Sequence, residues 1–160
     1  MLEDDRERAW DLFQQAYAAQ VKGEFDRAAE LYQKSLEILP TPEAHTFLGW
    51  TYHFQGKVFD AIAECKRAIA LDPDFGNPYN DIGAYLIELG RFDEAIPWLE
   101  LAIKAPRYDP RHFPHFNLGR AYMAKGMLGR ARRCFEEALR IEPRYVLARQ
   151  AIGNIRALVN

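Results

Sequence analysis

His112 and His115 stand three residues apart. That separation brings two imidazoles onto one face of a helix, where a pair can begin a metal site. They lie in "APRYDPRHFPHF" (105–116), which also holds three prolines and three aromatics. Imidazole titrates near neutral pH, so a histidine pair in such a loop also suits acid–base chemistry. Neither chemistry finds its partners here. Asp109 falls in a turn and Cys134 in the next helix, so nothing completes a ligand set. Cys65 and Cys134 form no CxxC pair and no disulfide framework. Arg130, Arg132 and Arg133 lie near Cys134, and at an exposed site they would lower its thiol pKa. No Gly-rich phosphate loop, nucleophile elbow or HExxH occurs. The residue types predict no catalytic, cofactor-binding or metal site, and therefore a non-enzyme.

The elements that must carry these residues show in the small side chains. Gly23, Gly56, Gly90 and Gly126 are separated by 33, 34 and 36 residues. Ala28, Ala61, Ala95 and Ala131 repeat those intervals, as do Ser35, Ala68, Ala102 and Ala138. Three columns sharing one set of offsets mark an internal repeat. Each repeat has the apolar spacing of two amphipathic helices with a glycine between them. That glycine suits the left-handed residue that ends a helix. Gly49, Gly83 and Gly119, with Ala16 in the first repeat, sit midway along each first helix, where a small residue lets the second helix cross closely.

These columns predict a charged extension at 1–8 and repeats at 9–41, 42–75, 76–111 and 112–145. A helix over 146–160 follows, with Ala148, Ala151, Ile152, Ile155 and Leu158 on one face, and is read as a solvating cap. Within "APRYDPRHFPHF", "RYDPR" lengthens the joint after the third repeat, and Pro114 enters the first turn of the next helix, where a missing N–H costs nothing. His45 and His115 share one position, held by Leu12 and Tyr79 elsewhere, and read as packing residues. Cys65 shares the inward position of Tyr32, Leu99 and Phe135.

Composition agrees with a soluble, reduced, cytoplasmic protein. The chain is 49% hydrophobic and 28% charged, with a net charge of −2 that gives no general affinity for nucleic acid. No run approaches the ~20 apolar residues of a membrane span. The acidic start "MLEDDRER" is unlike a signal peptide, although an exported form with its signal removed would read the same. The near-neutral sum hides an asymmetry: residues 1–80 carry 8 Lys/Arg against 14 Asp/Glu, and residues 81–160 carry 13 against 9.

The strings "FLGWTY" and "NLGRAY", followed by "FDAIAECKRAIALDP" and "ARRCFEEALRIEP", resemble the tetratricopeptide repeat. Ala16 and Ala19 stand in the first repeat where glycine and tyrosine are usual. The resemblance implies an all-α, right-handed superhelical solenoid of four helix-turn-helix units plus a capping helix, with a concave groove lined by the first helices. It places Trp10, Phe13, Tyr17, Gln20 and Val21 in that groove from the first repeat, and Glu43, Thr46, Trp50, His53 and Phe54 from the second. From the third it places Asn77, Asn80, Ala84, Ile87 and Glu88, and from the fourth Phe113, Phe116, Arg120, Met123 and Ala124. Trp50 and Phe116 are expected to be exposed, and Asn77 and Asn80 to meet a peptide backbone.

The implied function is a protein–protein interaction adaptor or scaffold that holds a peptide or protein segment. A chaperone-tail dicarboxylate clamp needs cations that this chain lacks: Phe13, Tyr17, Phe47, Asn77 and Asp81 stand at its positions, or, one repeat later, Thr46, Trp50, Asp81, Phe113 and Asn117. The alternative is homo-oligomeric self-assembly, through head-to-tail stacking of acidic and basic halves. A weaker third is RNA binding through Arg107, Arg111, Arg120, Lys125, Arg130, Arg132, Arg133 and Arg140.

Overall fold

A computed structural model describes residues 3–160. Those residues form nine helices and no strand: α1 (Glu3–Val21), α2 (Phe25–Ile38), α3 (Pro42–Phe54), α4 (Val58–Leu71), α5 (Asn77–Glu88), α6 (Phe92–Lys104), α7 (His112–Ala124), α8 (Leu128–Ile141) and α9 (Val146–Val159). They divide into two compact units, Met1–Pro78 and Tyr79–Asn160.

The same turn recurs four times. Gly23, Gly56, Gly90 and Gly126 all have φ between 75° and 80°, where a β-carbon would be strained. In the first turn, the Gly23 N–H donates to the Gln20 carbonyl (3.0 Å) and the Glu24 N–H to that of Ala19 (2.9 Å). Matching pairs follow at Gly56–Lys57, Gly90–Arg91 and Gly126–Met127. This double bond pattern satisfies carbonyls that a helix end leaves open, and it reverses the chain in two residues.

The small columns then do what their spacing predicts. Ala28, Ala61, Ala95 and Ala131 are wholly buried, as are Ala68, Ala102 and Ala138. Ser35 is buried too, and its hydroxyl donates to the Ala9 carbonyl at 2.7 Å, which ties α2 to α1. A β-carbon on Gly83 would run into the Leu99 side chain, and one on Gly119 would lie 2.6 Å from the Phe135 ring. Contact that close leaves room for hydrogen alone.

In the first unit the core gathers Ala16, Ala19, Ala28, Ala29, Tyr32 and Leu48. The buried Tyr32 hydroxyl donates to Gln20 Oε1 at 2.6 Å, and burial pushes its pKa well above the usual phenol value. In the second unit, Phe135 and its alanine neighbours pack against Ala148, Ile152 and Ile155 of α9.

Two local expectations change, and the lengthened joint gains detail. The helix α1 begins at Glu3, so residues 3–8 form its first turns, with Glu3, Asp4 and Asp5 at the end that favours anions. Residues 1 and 2 lie outside the described residues. On α9, Leu158 does not join the buried face but is 65% exposed, with Val146, Leu147 and Val159 also exposed. The lengthened joint has its own anchor, Tyr108, which is buried and whose pKa burial also raises. Arg111 closes that joint by donating to the carbonyls of Ala105 (3.2 Å) and Pro106 (2.9 Å). Pro114 is buried in the first turn of α7.

Candidate functional site

The first helices of the first unit carry a continuous run of aromatic rings. Trp10 stacks on Phe13 at 5.4 Å, and Phe13 meets Phe47 of α3 edge-on at the same distance. Phe47 is the hub: it also touches Tyr17, Tyr32 and Trp50. Trp50 continues to Phe54, which stacks on Phe25 of α2 at 5.0 Å. Edge-to-face and offset geometries suit aromatic quadrupoles and fix the rings relative to one another.

This run has a buried side and an open side. Phe13 and Phe47 pack on the core. Trp10 (57%), Tyr17 (48%), Trp50 (45%) and Phe54 (55%) remain exposed. Large rings left half in water on one pair of helices form an apolar surface that solvent disfavours. His53 is half-buried against Phe54 at 5.6 Å. Thr46 is not on the surface; it is buried and donates to the Pro42 carbonyl.

The second unit differs. Asn80 is buried and accepts a hydrogen bond from Asn117 at 2.9 Å, so its carbonyl serves the fold and not a ligand backbone. Arg120, half-buried, donates to the Asn117 side-chain Oδ1 at 3.0 Å. Ile87 is buried. Phe116, expected to be exposed, is half-buried between Phe135 (5.5 Å) and Tyr145 (5.1 Å) and packs against the core. Met123 packs on that core as well. Asn77 is half-buried, and Phe113, 36% exposed, leans on Tyr145. Of the expected groove residues, the structure thus brings Trp10, Phe13, Tyr17, Trp50 and Phe54 into one array, buries Thr46, Asn80 and Ile87, and leaves Phe116 half-buried.

Phe47, Phe25 and Tyr145 were missed as organisers. Phe47 follows an expected groove position by one residue, and Tyr145 stands in a loop two residues after Pro143. Neither carries a periodic signal of its own.

The polar candidates have neighbours of their own. His112 sits against Phe113 and Tyr145. His115 faces α8 in a small cavity with Arg111, Glu137 and Arg140. Burial lowers the His115 pKa; the Glu137 carboxylate opposes this and Arg140 reinforces it. His45 fills no purely apolar slot: its Nδ1 lies 2.6 Å from Oε2 of buried Glu64, which Arg67 also holds. At Cys134 burial wins over Arg133 and pushes the thiol pKa up, the reverse of activation. Among the described residues no group of three His, Cys, Asp or Glu side chains is close enough to hold a metal ion. No helix among them is long and apolar enough to cross a membrane.

Paired helices with glycine turns and alanine seams define an all-α helical-repeat solenoid. Family models described as Tetratricopeptide repeat match residues 13–74, 64–96 and 112–145, and the chain belongs to that family. A protein SGT1 homolog of Oryza sativa subsp. japonica is 35% identical over 104 residues, 64% of this chain and 28% of that protein. The type IV pilus assembly protein PilF of Pseudomonas aeruginosa is 28% identical over 121 residues, 75% of this chain and 48% of PilF. The chain thus spans less than half the length of these curated relatives. The solved structure of PilF superimposes with a TM-score of 0.89 at 23% identity, over 96% of this chain and 69% of that one. A crystal structure of MamA gives 0.74 at 28% identity, over 88% and 81%.

Proposed function

We propose that this chain is a non-enzymatic protein–protein interaction adaptor that holds a segment of a protein partner against the aromatic face of α1 and α3. One observation carries the reading: a continuous ring array with Trp10, Tyr17, Trp50 and Phe54 about half exposed. Tryptophan and tyrosine are the side chains most enriched among binding hot spots, because they offer large rigid area at little entropic cost. The rings on this face are braced from behind by Phe13 and Phe47, so binding orders little that is not already ordered. Family membership supports the same reading, since repeat folds present extended binding surfaces.

Panning a random peptide library on the immobilised chain tests this. Enriched peptides are expected to share apolar or aromatic residues, and Trp50→Ala to weaken them by at least about tenfold (about 1.4 kcal/mol) with far-UV circular dichroism unchanged. Undiminished binding by both Trp50→Ala and Phe54→Ala would remove the proposal. A second reading, head-to-tail self-association, is favoured by the opposite net charges of the two units.

A further inference from the structure

One end of the aromatic face opens into a slot of about 170 Å³, formed by Arg6, Ala9, Trp10 and Phe13 of α1, Leu39 after α2, and Glu43 in α3. Its walls are mostly apolar. Two hydroxyls also line it, and both are engaged: the buried Ser35 hydroxyl donates to the Ala9 carbonyl, and Thr41 Oγ1 accepts from the Ala44 N–H. An apolar cavity of about 150 Å³ is large enough for a benzene ring. The slot therefore matches a phenyl or isobutyl side chain in size and polarity.

Its mouth is charged. Glu43 stands at one side, and Glu3, Arg6 and Glu7 line an adjoining open hollow that shares Trp10. The two linings together hold three carboxylates and one guanidinium, within a unit that carries 8 Lys/Arg against 14 Asp/Glu. The indole of Trp10, 57% exposed between slot and hollow, offers a face on which a cation is favoured. A carboxylate placed there would find one guanidinium, Arg6, against three carboxylates, so the balance of charge favours a cation.

We propose that this slot is the anchor subsite of the interaction face. It takes one phenylalanine or leucine side chain of the bound segment, with a lysine or arginine beside it on the acidic rim. The assignment rests on the reading of the aromatic face as an interaction surface, and it adds the partner's chemistry: an apolar anchor next to a cation.

The three indoles, Trp10, Trp50 and Trp98, each give one Nε1–H resonance, so ¹⁵N-labelled protein reports where a probe binds. The probes are blocked tetrapeptides Ala-Phe-Lys-Ala, Ala-Phe-Glu-Ala and Ala-Ala-Lys-Ala. The Phe-Lys peptide is expected to shift the Trp10 resonance saturably, the Phe-Glu peptide to bind at least about tenfold more weakly, and the Ala-Lys peptide to leave it unmoved. Leu39→Phe, which fills the slot, is expected to abolish the shift. Glu7→Gln, on an exposed position, is expected to weaken the Phe-Lys peptide about threefold and tests the charge independently of packing.

Equal or tighter binding of the Phe-Glu peptide, or an unchanged shift in Leu39→Phe, would overturn the assignment. Movement of Trp50 alone would remove the slot and leave the aromatic face standing. If no indole moves with any probe, both readings fall.

Discussion

His115 shows how one side chain can look catalytic in sequence and act structurally in the fold. Its position matches those of Leu12, His45 and Tyr79, and that equivalence made a packing role legible. What the sequence did not show is the surroundings on α8, where Glu137 and Arg140 face it and pair with each other. Burial holds the imidazole below its ordinary value of 6.5. The folded chain therefore binds fewer protons than the unfolded chain between the lowered value and 6.5. Stability from this group is complete above 6.5 and is lost as pH falls from there toward the lowered value. Thermal unfolding should show a Tm that declines below about pH 6.5, and His115→Gln should flatten that part of the profile. The Glu137 carboxylate, held below 4.5 chiefly by its hydrogen bond with Arg140, loses its own contribution only at still lower pH, as it protonates. A wild-type profile flat from about pH 7 to 5 would contradict the assignment to His115.

At the scale of helices, the small-residue columns were the legible part. A glycine or alanine recurring every 33 to 36 residues has one economical explanation, close helix crossing, and Gly83 against Leu99 and Gly119 against Phe135 bear it out. The ring array was less legible, because it depends on which face each helix turns inward and on rotamers that set Phe47 among four other rings. The same geometry separates two otherwise similar glycines. Gly119 and Gly153 are 34 residues apart, both within helices. At Gly119 a β-carbon would overlap Phe135, which is 1% exposed and has nowhere to retreat. At Gly153 it would meet nothing within 4 Å. Gly119→Ala should destabilise by about 1–3 kcal/mol through overpacking. Gly153→Ala should stabilise by about 0.5–1 kcal/mol by restricting the unfolded chain and favouring the helix. Urea denaturation of both variants measures the contrast; a destabilised Gly153→Ala would show that α9 packs otherwise than described, and a stabilised Gly119→Ala would say the same of the α7–α8 crossing.

At the scale of the whole chain, charge is the property that neither helices nor rings express. The late basic residues suggested an RNA surface, but several already have partners. Arg132 pairs with Glu136, Arg140 with Glu137 and Lys125 with Asp93, while Arg111 and Arg120 serve a loop and Asn117. A phosphate backbone would have to displace these contacts, and the net charge of −2 gives no long-range attraction to offset that. The opposition between the units survives this pairing, because partners within a unit cancel in its sum. All charged residues of 1–80 precede Tyr79, so the first unit carries 8 Lys/Arg against 14 Asp/Glu and the second 13 against 9. Two copies meeting head to tail bring unlike charge together, and this attraction extends over a Debye length of about 30 Å at 0.01 M salt but only about 10 Å at 0.1 M. Sedimentation velocity at about 0.01 M salt should show a weight-average coefficient that rises with protein concentration, and that rise should vanish by about 0.3 M. Association that persists in high salt would assign the contact to apolar surface instead, with exposed Leu147, Leu158 and Val159 of α9 the first residues to change. A monomer at every ionic strength would remove the self-association reading and leave the proposed one, a partner segment on the aromatic face of the first unit.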